Sequence, residues 1–308
     1  MAEAPLYFPA AERQRLEPHL PPFSSSSFSN PMTASHAPSP HAALPFVTLT
    51  FATSLDSALA LGPGIRTALS GPQSKAMTHY LRSRHDAICV GVGTAIADDP
   101  GLNSRLDAAA DEKLSGDGDD DDDGRRMTGE NMDESSSSGN VITTHQPRPI
   151  IIDPHLRWDF TARSKVMRLA REGKGLAPYI VTLEKEPPLS KRQILEDAGG
   201  KFIVLNPGRG DEGKTGRLDW RIILTVVRQE NLRSIMIEGG GEVINSLLSE
   251  EASLVNSVIV TIAPIWLGQG GVTVSPPRTN VDRPVARLCD TIWMPLGDDV
   301  VLCGRIAR

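Results

Sequence analysis

The chain is poor in aromatic residues, in cysteine and in long apolar runs. Phe, Trp and Tyr together make up 5% of its 308 residues, and hydrophobic residues 39%. A chain of this length packed throughout would carry more of both, so part of it is expected to stay outside any core. Nowhere do 18 apolar residues follow one another, which leaves no candidate for a membrane-spanning helix. The N-terminus has no charged segment leading into an apolar one, unlike a secretory signal, and Glu3, Glu12 and Glu17 beside Arg13 and Arg15 argue against a mitochondrial presequence. The three cysteines, Cys89, Cys289 and Cys303, are odd in number, far apart and set in apolar runs. They are expected to be reduced core residues in a cytoplasmic or nuclear compartment. No Cys/His spacing suits a zinc site, and no Ser/His/Asp or Cys/His array suggests nucleophilic catalysis.

Two segments account for the shortage. Residues 1–44 are rich in Pro, Ser and Ala, as in Ser24 to Ser27, Pro38 and Pro40, and carry no apolar periodicity; a disordered tail is expected. Residues 107–145 contain Asp119 to Asp123 and Ser135 to Ser138, with twelve acids against three bases, a net charge of −9. The whole chain is −6, so the remainder stands near +3 and its acidity belongs to one insert. A mildly basic body suits an anionic ligand. The expected organisation is one domain over 45–308 interrupted by a disordered acidic insert at 107–145, a length that loop-closure entropy tolerates.

Within that body, apolar strand-like runs alternate with amphipathic stretches. Strands are expected at Pro45 to Thr53, Ala87 to Val92, Arg148 to Ile152, Tyr179 to Leu183, Lys201 to Leu205, Ser234 to Ile237, Val255 to Ala263 and Asp299 to Ile306. Ser74 to Arg84 reads as a helix, and Asp219 as the cap of another whose apolar face is Ile222, Ile223, Val226 and Val227. This alternation indicates an α/β fold with a mostly parallel sheet covered on both faces. The last two strands have no helix between them and suggest an antiparallel edge.

Two loops carry the chemistry. In Ile235-Met236-Ile237-Glu238-Gly239-Gly240-Gly241-Glu242 an apolar strand stops at a carboxylate, three glycines follow, and a helix begins. Such a turn leaves backbone N–H groups free for a phosphate, although a tight strand-to-helix turn would read the same way. No Lys-Ser/Thr follows the glycines, which excludes P-loop phosphotransfer. The segment Val90 to Arg105 ends a strand in Gly93 and then presents Thr94, Asp98, Asp99, Asn103 and Arg105. Read blandly, it is a capped turn, with Thr94 as the cap. In α/β sheets ligands sit outside the carboxyl ends of strands, so both loops are expected on one rim.

Together with Ser54-Leu55-Asp56, Met77-Thr78-His79-Tyr80-Leu81-Arg82 and Pro147 to Asp153, these loops occur in an order that resembles the riboflavin-biosynthesis reductases. The resemblance covers roughly residues 45–106 and 146–308. It implies a dihydrofolate-reductase-like fold, a homodimer, and NADPH-dependent reduction of 2,5-diamino-6-ribosylamino-4(3H)-pyrimidinone 5′-phosphate at C1′ of its open-chain imine. It also implies that Thr94, Asp98, Leu218, Gly239, Gly240, Gly241 and Glu242 contact the cofactor. Arg82 and Arg105 are implied on the substrate side, where a planar fork of donors suits phosphate or ribose oxygens. Glu238 is implied as the catalytic-site carboxylate facing the pyrimidine, with no metal. The family commonly shows S-x-D-G followed by a basic residue; here Ser57 and Ala58 follow Asp56. His79 and His85 are the histidines near the motifs, and a lone histidine on a helix reads first as structural. A pterin or folate reductase of the same fold, or a non-catalytic nucleotide-binding module, would share the glycine turn but not the need for both arginines.

Overall fold

The computed structural model describes residues 6–22, 44–106, 145–205, 218–249, 252–278 and 282–307. In chain order its strands are β1 (Phe46–Thr53), β2 (Ala58–Ala60), β3 (Ala87–Gly91), β4 (Arg148–Ile152), β5 (Tyr179–Thr182), β6 (Lys201–Val204), β7 (Ser234–Gly239), β8 (Ser257–Ile262), β9 (Val272–Thr273), β10 (Leu288–Leu296) and β11 (Asp299–Ile306). The helices are α1 (Ala10–Leu16), α2 (Pro72–Ser83), α3 (Val92–Asp98), α4 (Lys165–Arg171), α5 (Leu189–Glu196), α6 (Trp220–Gln229) and α7 (Gly241–Leu248).

Nine strands form one sheet in the order β10-β11-β8-β1-β7-β3-β4-β5-β6, and β2 pairs with β9 in a separate ribbon. Every pairing from β8 to β6 is parallel, and β11 alone runs against the rest, between β8 and β10. The mostly parallel sheet with an antiparallel edge is therefore present. The chain steps outward from β3 to β6, then returns to insert β7 between β1 and β3. The carboxyl ends of β1, β7 and β3 thus meet at the centre of one rim.

Alternation along the strands divides the core in two. Val47, Leu49, Ile235 and Ile237 face α6 and α7 in one layer. Met236 and Ile259 face α2 on the other side, while Ile88, Val90 and Ile151 face α3, α4 and α5 there. Helix α2 is seated by a borrowed cap: the buried carboxylate of Asp299, the first residue of β11, accepts from the Gly71 N–H (2.8 Å) and the Ser74 hydroxyl (2.6 Å). Helix α6 starts as its sequence suggests, with the Asp219 carboxylate accepting from the Arg221 N–H at 2.7 Å.

Several expectations need correcting. Residues 6–22 are not a featureless tail. They form α1 and a 3-10 turn at Glu17–His19, and they bury Phe8, Leu16 and Leu20 against α2 and the β10–β11 hairpin. The apolar residues of this proline-rich stretch, Leu6, Phe8, Leu16 and Leu20 among them, are spaced too irregularly to give a periodicity. Residues 1–5, most of the remaining tail (23–43) and 107–144 of the acidic insert lie outside the described residues. Cys89 and Cys303 are buried, but Cys289 is exposed. It lies at a break in the β10 register, between Cys289 and Ile292, where Asp290 adopts φ 51°. That break spoils the alternation of β10, which is why the strand is illegible in sequence. Strand β3 ends at Gly91, and α3 opens at Val92, so Thr94 lies inside the helix rather than capping it.

Candidate active site

The rim is built around a register fault. One step along β3, from Cys89 to Val90, is matched by two along β7, from Ile237 to Gly239. Glu238 is the extra residue, and bulges of this kind re-aim a side chain where pairing ends. Glu238 shares the face of Met236 and therefore points toward α2. There Arg82 receives it with both prongs: Nε donates to Oε1 at 2.8 Å and Nη2 to Oε2 at 2.7 Å. Arg82 Nη1 donates further to the Asn103 carbonyl at 3.2 Å. The two side chains keep only 14% and 16% of their surface exposed. A fork-on-carboxylate pair this sheltered fixes both groups in orientation. Arg82 was expected to grip substrate directly; in the structure, much of its fork is engaged by Glu238.

Arg105 lies beyond Asn103 on the loop after α3. Its backbone N–H donates to His79 Nδ1 at 3.1 Å, and its guanidinium lies 3.1–3.3 Å from His79 Nε2. The neighbouring Ser104 hydroxyl donates to the His79 carbonyl at 2.9 Å. Burial, then the charges of Arg82 and Arg105, hold the His79 imidazole down to about 3, against a weaker opposing effect of the Asn103 carbonyl. The ring is neutral at physiological pH. Ser104 is also bound from the far side of the insert: its N–H donates to Gln146 Oε1 at 2.9 Å, and Gln146 Nε2 donates to its carbonyl at 3.0 Å. His85 is a wholly buried structural residue. Its Nδ1–H donates to the Leu81 carbonyl and its Nε2 accepts from the Thr48 hydroxyl, each at 2.7 Å.

The glycine turn lies next to this cluster. Gly239 has φ +122°, a conformation that side-chain-bearing residues rarely adopt, and the Gly239–Gly240 peptide is cis. Gly240 caps α7, with no side chain closing the helix end. A Cβ on Gly240 would lie 3.2 Å from Thr94 Oγ1, and one on Gly241 only 2.6 Å from Val272 Cγ1 of the β2–β9 ribbon. The ribbon is tied to α7 by Asn245, whose amide donates to the Thr273 carbonyl at 3.0 Å and accepts from the Ser275 N–H at 2.8 Å. Glu242 is exposed in the first turn of α7. Asp98 is one helical turn on from Thr94; burial raises its carboxyl above the usual range, and Arg66 opposes the rise. Leu218 packs against the core under α6 and α7.

Ser54-Leu55-Asp56 has a different task. Asp56 accepts from the Leu267 N–H (3.1 Å), the Gly268 N–H (2.7 Å) and the Ser54 hydroxyl (2.5 Å), and these bonds pull its carboxyl down to about 2. It clasps the segment after β8 to the end of β1.

The structure brings Arg82, Glu238 and Arg105 into one cluster and sets Thr94 against Gly240. Glu238 and the glycines, adjacent in sequence, join the two halves. Leu218 is held in the core, with no described bond to either loop. Gln146 was missed, and Asn103, named in its loop, acts through its carbonyl on Arg82 rather than through its amide alone; both are brought close only by folding.

The RibD C-terminal domain family matches residues 45–302. A Debaryomyces hansenii protein named 2,5-diamino-6-ribosylamino-4(3H)-pyrimidinone 5′-phosphate reductase is 38% identical over 277 residues, which cover 90% of this chain and 95% of that one. The Saccharomyces cerevisiae protein of the same name is 37% identical over 265 residues, 86% of this chain and 88% of its own. Among solved structures, the Saccharomyces cerevisiae riboflavin biosynthesis reductase Rib7 superposes with a TM-score of 0.63 at 31% identity, covering 96% of this chain and 99% of that one. Acinetobacter baumannii RibD, 21% identical with a TM-score of 0.59 over 86% of this chain and 59% of its own, shares the fold.

Proposed function

The chain belongs to the RibD C-terminal domain family, and from that membership we propose that it is a nicotinamide-dependent reductase in riboflavin biosynthesis. Its substrate is 2,5-diamino-6-ribosylamino-4(3H)-pyrimidinone 5′-phosphate, as in the names of its relatives, and its cofactor is NADPH. The observation that carries this reading is the bulged Glu238 held two-pronged by Arg82, one residue before a glycine turn that opens a helix.

The residues fit a phosphorylated cofactor. Side chains are missing at Gly239, Gly240 and Gly241, where a Cβ would crowd Ile244, Thr94 and Val272 in turn. The first turn of α7 presents backbone N–H groups and the positive end of a helix dipole. Gly239 to Gly241, Thr94 and Asp98 line that side, with Glu242 at its margin; Leu218, packed on the core under α6 and α7, stands apart from it. When bound, a reduced nicotinamide supplies the hydride that reduction at C1′ requires. The protein's own part is orientation. Glu238, fixed by Arg82, accepts from the amino groups of the pyrimidine, and water or Glu238 supplies the proton. Arg105 grips phosphate or ribose oxygens with its fork of donors. Beside it the neutral His79 adds no competing charge.

The enzyme works as a cytoplasmic homodimer in this reading. Trp293 on the edge strand β10 and Trp266 after β8 are 58% and 74% exposed, apolar surface that a second copy would cover. Light scattering of the purified protein checks the dimer. The function is tested by supplying the purified protein with this substrate and NADPH, and separately with dihydrofolate. Product with a ribityl side chain, formed as NADPH is consumed, is the expected result. NADPH binding without turnover, or turnover of dihydrofolate instead, would sink the assignment.

A further inference from the structure

Arg105 is held from outside its own loop on both sides of its backbone. Its N–H donates to the His79 ring on α2 at 3.1 Å. Its carbonyl accepts from the Leu6 N–H at 2.9 Å, and Leu6 forms a parallel bridge with Leu106. Leu6 belongs to the arm of residues 6–22, which lies outside the stretch the family matches, 45–302. The arm is anchored along its length. Phe8 is fully buried, with its ring 5.4 Å from that of Tyr80 on α2. Glu17 accepts from the Tyr80 hydroxyl and from Arg84, and Arg84 donates again to the Pro21 carbonyl at 3.1 Å. Both Leu6 and Leu106 pack on the same apolar cluster as Phe8. The arm and α2 thus form two sides of a clamp, and what lies between them is the backbone of a single arginine.

We propose that the N-terminal arm is a positioning element of the substrate site, setting the Arg105 side chain through the Leu6–Arg105 backbone bond. The proposal rests on the reading of Arg105 as a ligand of the substrate phosphate or ribose. A bond from a distant part of the chain removes backbone freedom before the substrate arrives, so the loop pays less ordering entropy on binding. The arm makes no described contact with the glycine turn, so it acts on the substrate and not on the cofactor.

The test is the pair Leu6→Pro and Leu6→Ala in the full-length protein. Both shorten the side chain, but only proline removes the N–H. Leu6→Pro is expected to raise the KM for the substrate about threefold to tenfold above Leu6→Ala, the span of one net hydrogen bond. The NADPH Kd should stay the same in both. Amide exchange over residues 102–106 should quicken in Leu6→Pro while exchange in β1 and β7 does not change. Glu17→Gln, which loosens the far anchor without touching Leu6, should move both readouts the same way. Equal KM and equal exchange in the two Leu6 variants would overturn the proposal. So would a rise in KM accompanied by parallel losses of NADPH affinity and Tm, which would make the arm a prop for the whole fold. Arg105→Ala separates the two readings: if it leaves KM unchanged, the assignment of Arg105 fails, and the exchange data alone then decide whether the arm holds the loop.

Discussion

At the residue scale, Glu238 and Arg82 depend on each other. Removing the charge from one leaves the other sheltered and half-satisfied, which costs more than the pair itself contributes. Glu238→Gln keeps the shape and is expected to lower kcat/KM by between about tenfold and a hundredfold, the range for a lost hydrogen bond to a charged group. The NADPH Kd should change little; steady-state kinetics beside a binding titration check both. The buried histidines make a second prediction. Folded, His79 takes a proton only near pH 3 and His85 only near pH 4, whereas unfolded each does so near 6.5. Above 6.5 neither makes stability depend on pH. As pH falls below it, the unfolded chain binds protons that the folded chain refuses. Stability is therefore lost from about 6.5 down to the folded values, with a slope approaching about 1.4 kcal/mol per pH unit for each ring. Urea midpoints measured from pH 7 to pH 4 should fall accordingly, and His79→Asn should flatten part of that fall.

At the scale of elements, the glycine turn is a junction where α3 and the β2–β9 ribbon come up against the start of α7. Gly241 shows how tight the junction is, since an added Cβ would stand 2.6 Å from Val272 Cγ1. Gly241→Ala must push the ribbon or the helix end aside, a strain of the order that raises a Kd about tenfold. A fluorescence titration with NADPH should show that weakening with the substrate KM little changed. An unaltered NADPH Kd would show that the cofactor does not use this turn. The elements also show where sequence patterns inform. Asp219 reads as a cap because its carboxylate bonds a neighbour two residues on. The cap of α2 cannot be read this way, because its carboxylate comes from Asp299, more than two hundred residues away.

At the scale of the molecule, the acidic insert leaves and rejoins the fold at nearly the same place. Ser104, just before it, and Gln146, just after it, are joined by two hydrogen bonds. Replacing residues 107–144 with a short Gly/Ser link should leave kcat/KM close to the parent value and Tm equal or slightly raised, since a shorter loop costs less closure entropy. Calorimetry and kinetics on the deletion variant check this. A large loss in either would show that the insert takes part in the site it emerges beside.

The class of fold, the central strands and the two loops of the rim are legible in the order of the amino acids alone. These features are local: runs of apolar residues, a carboxylate before three glycines, and a cap beside its helix. The tertiary structure alone decided that Arg82 serves Glu238, that His79 and Leu6 hold Arg105, and that residues 6–22 belong to the folded body. Each joins residues far apart in the chain and leaves no pattern in composition or spacing: Arg82 meets Glu238 through side chains, Arg105 is held through backbone and ring atoms, and the arm is held by apolar packing and the Glu17 carboxylate. The triple glycine reads in sequence as a place for phosphate. Only the β7 bulge and the crossing of α2 show how the Glu238–Arg82 pair comes to lie beside it.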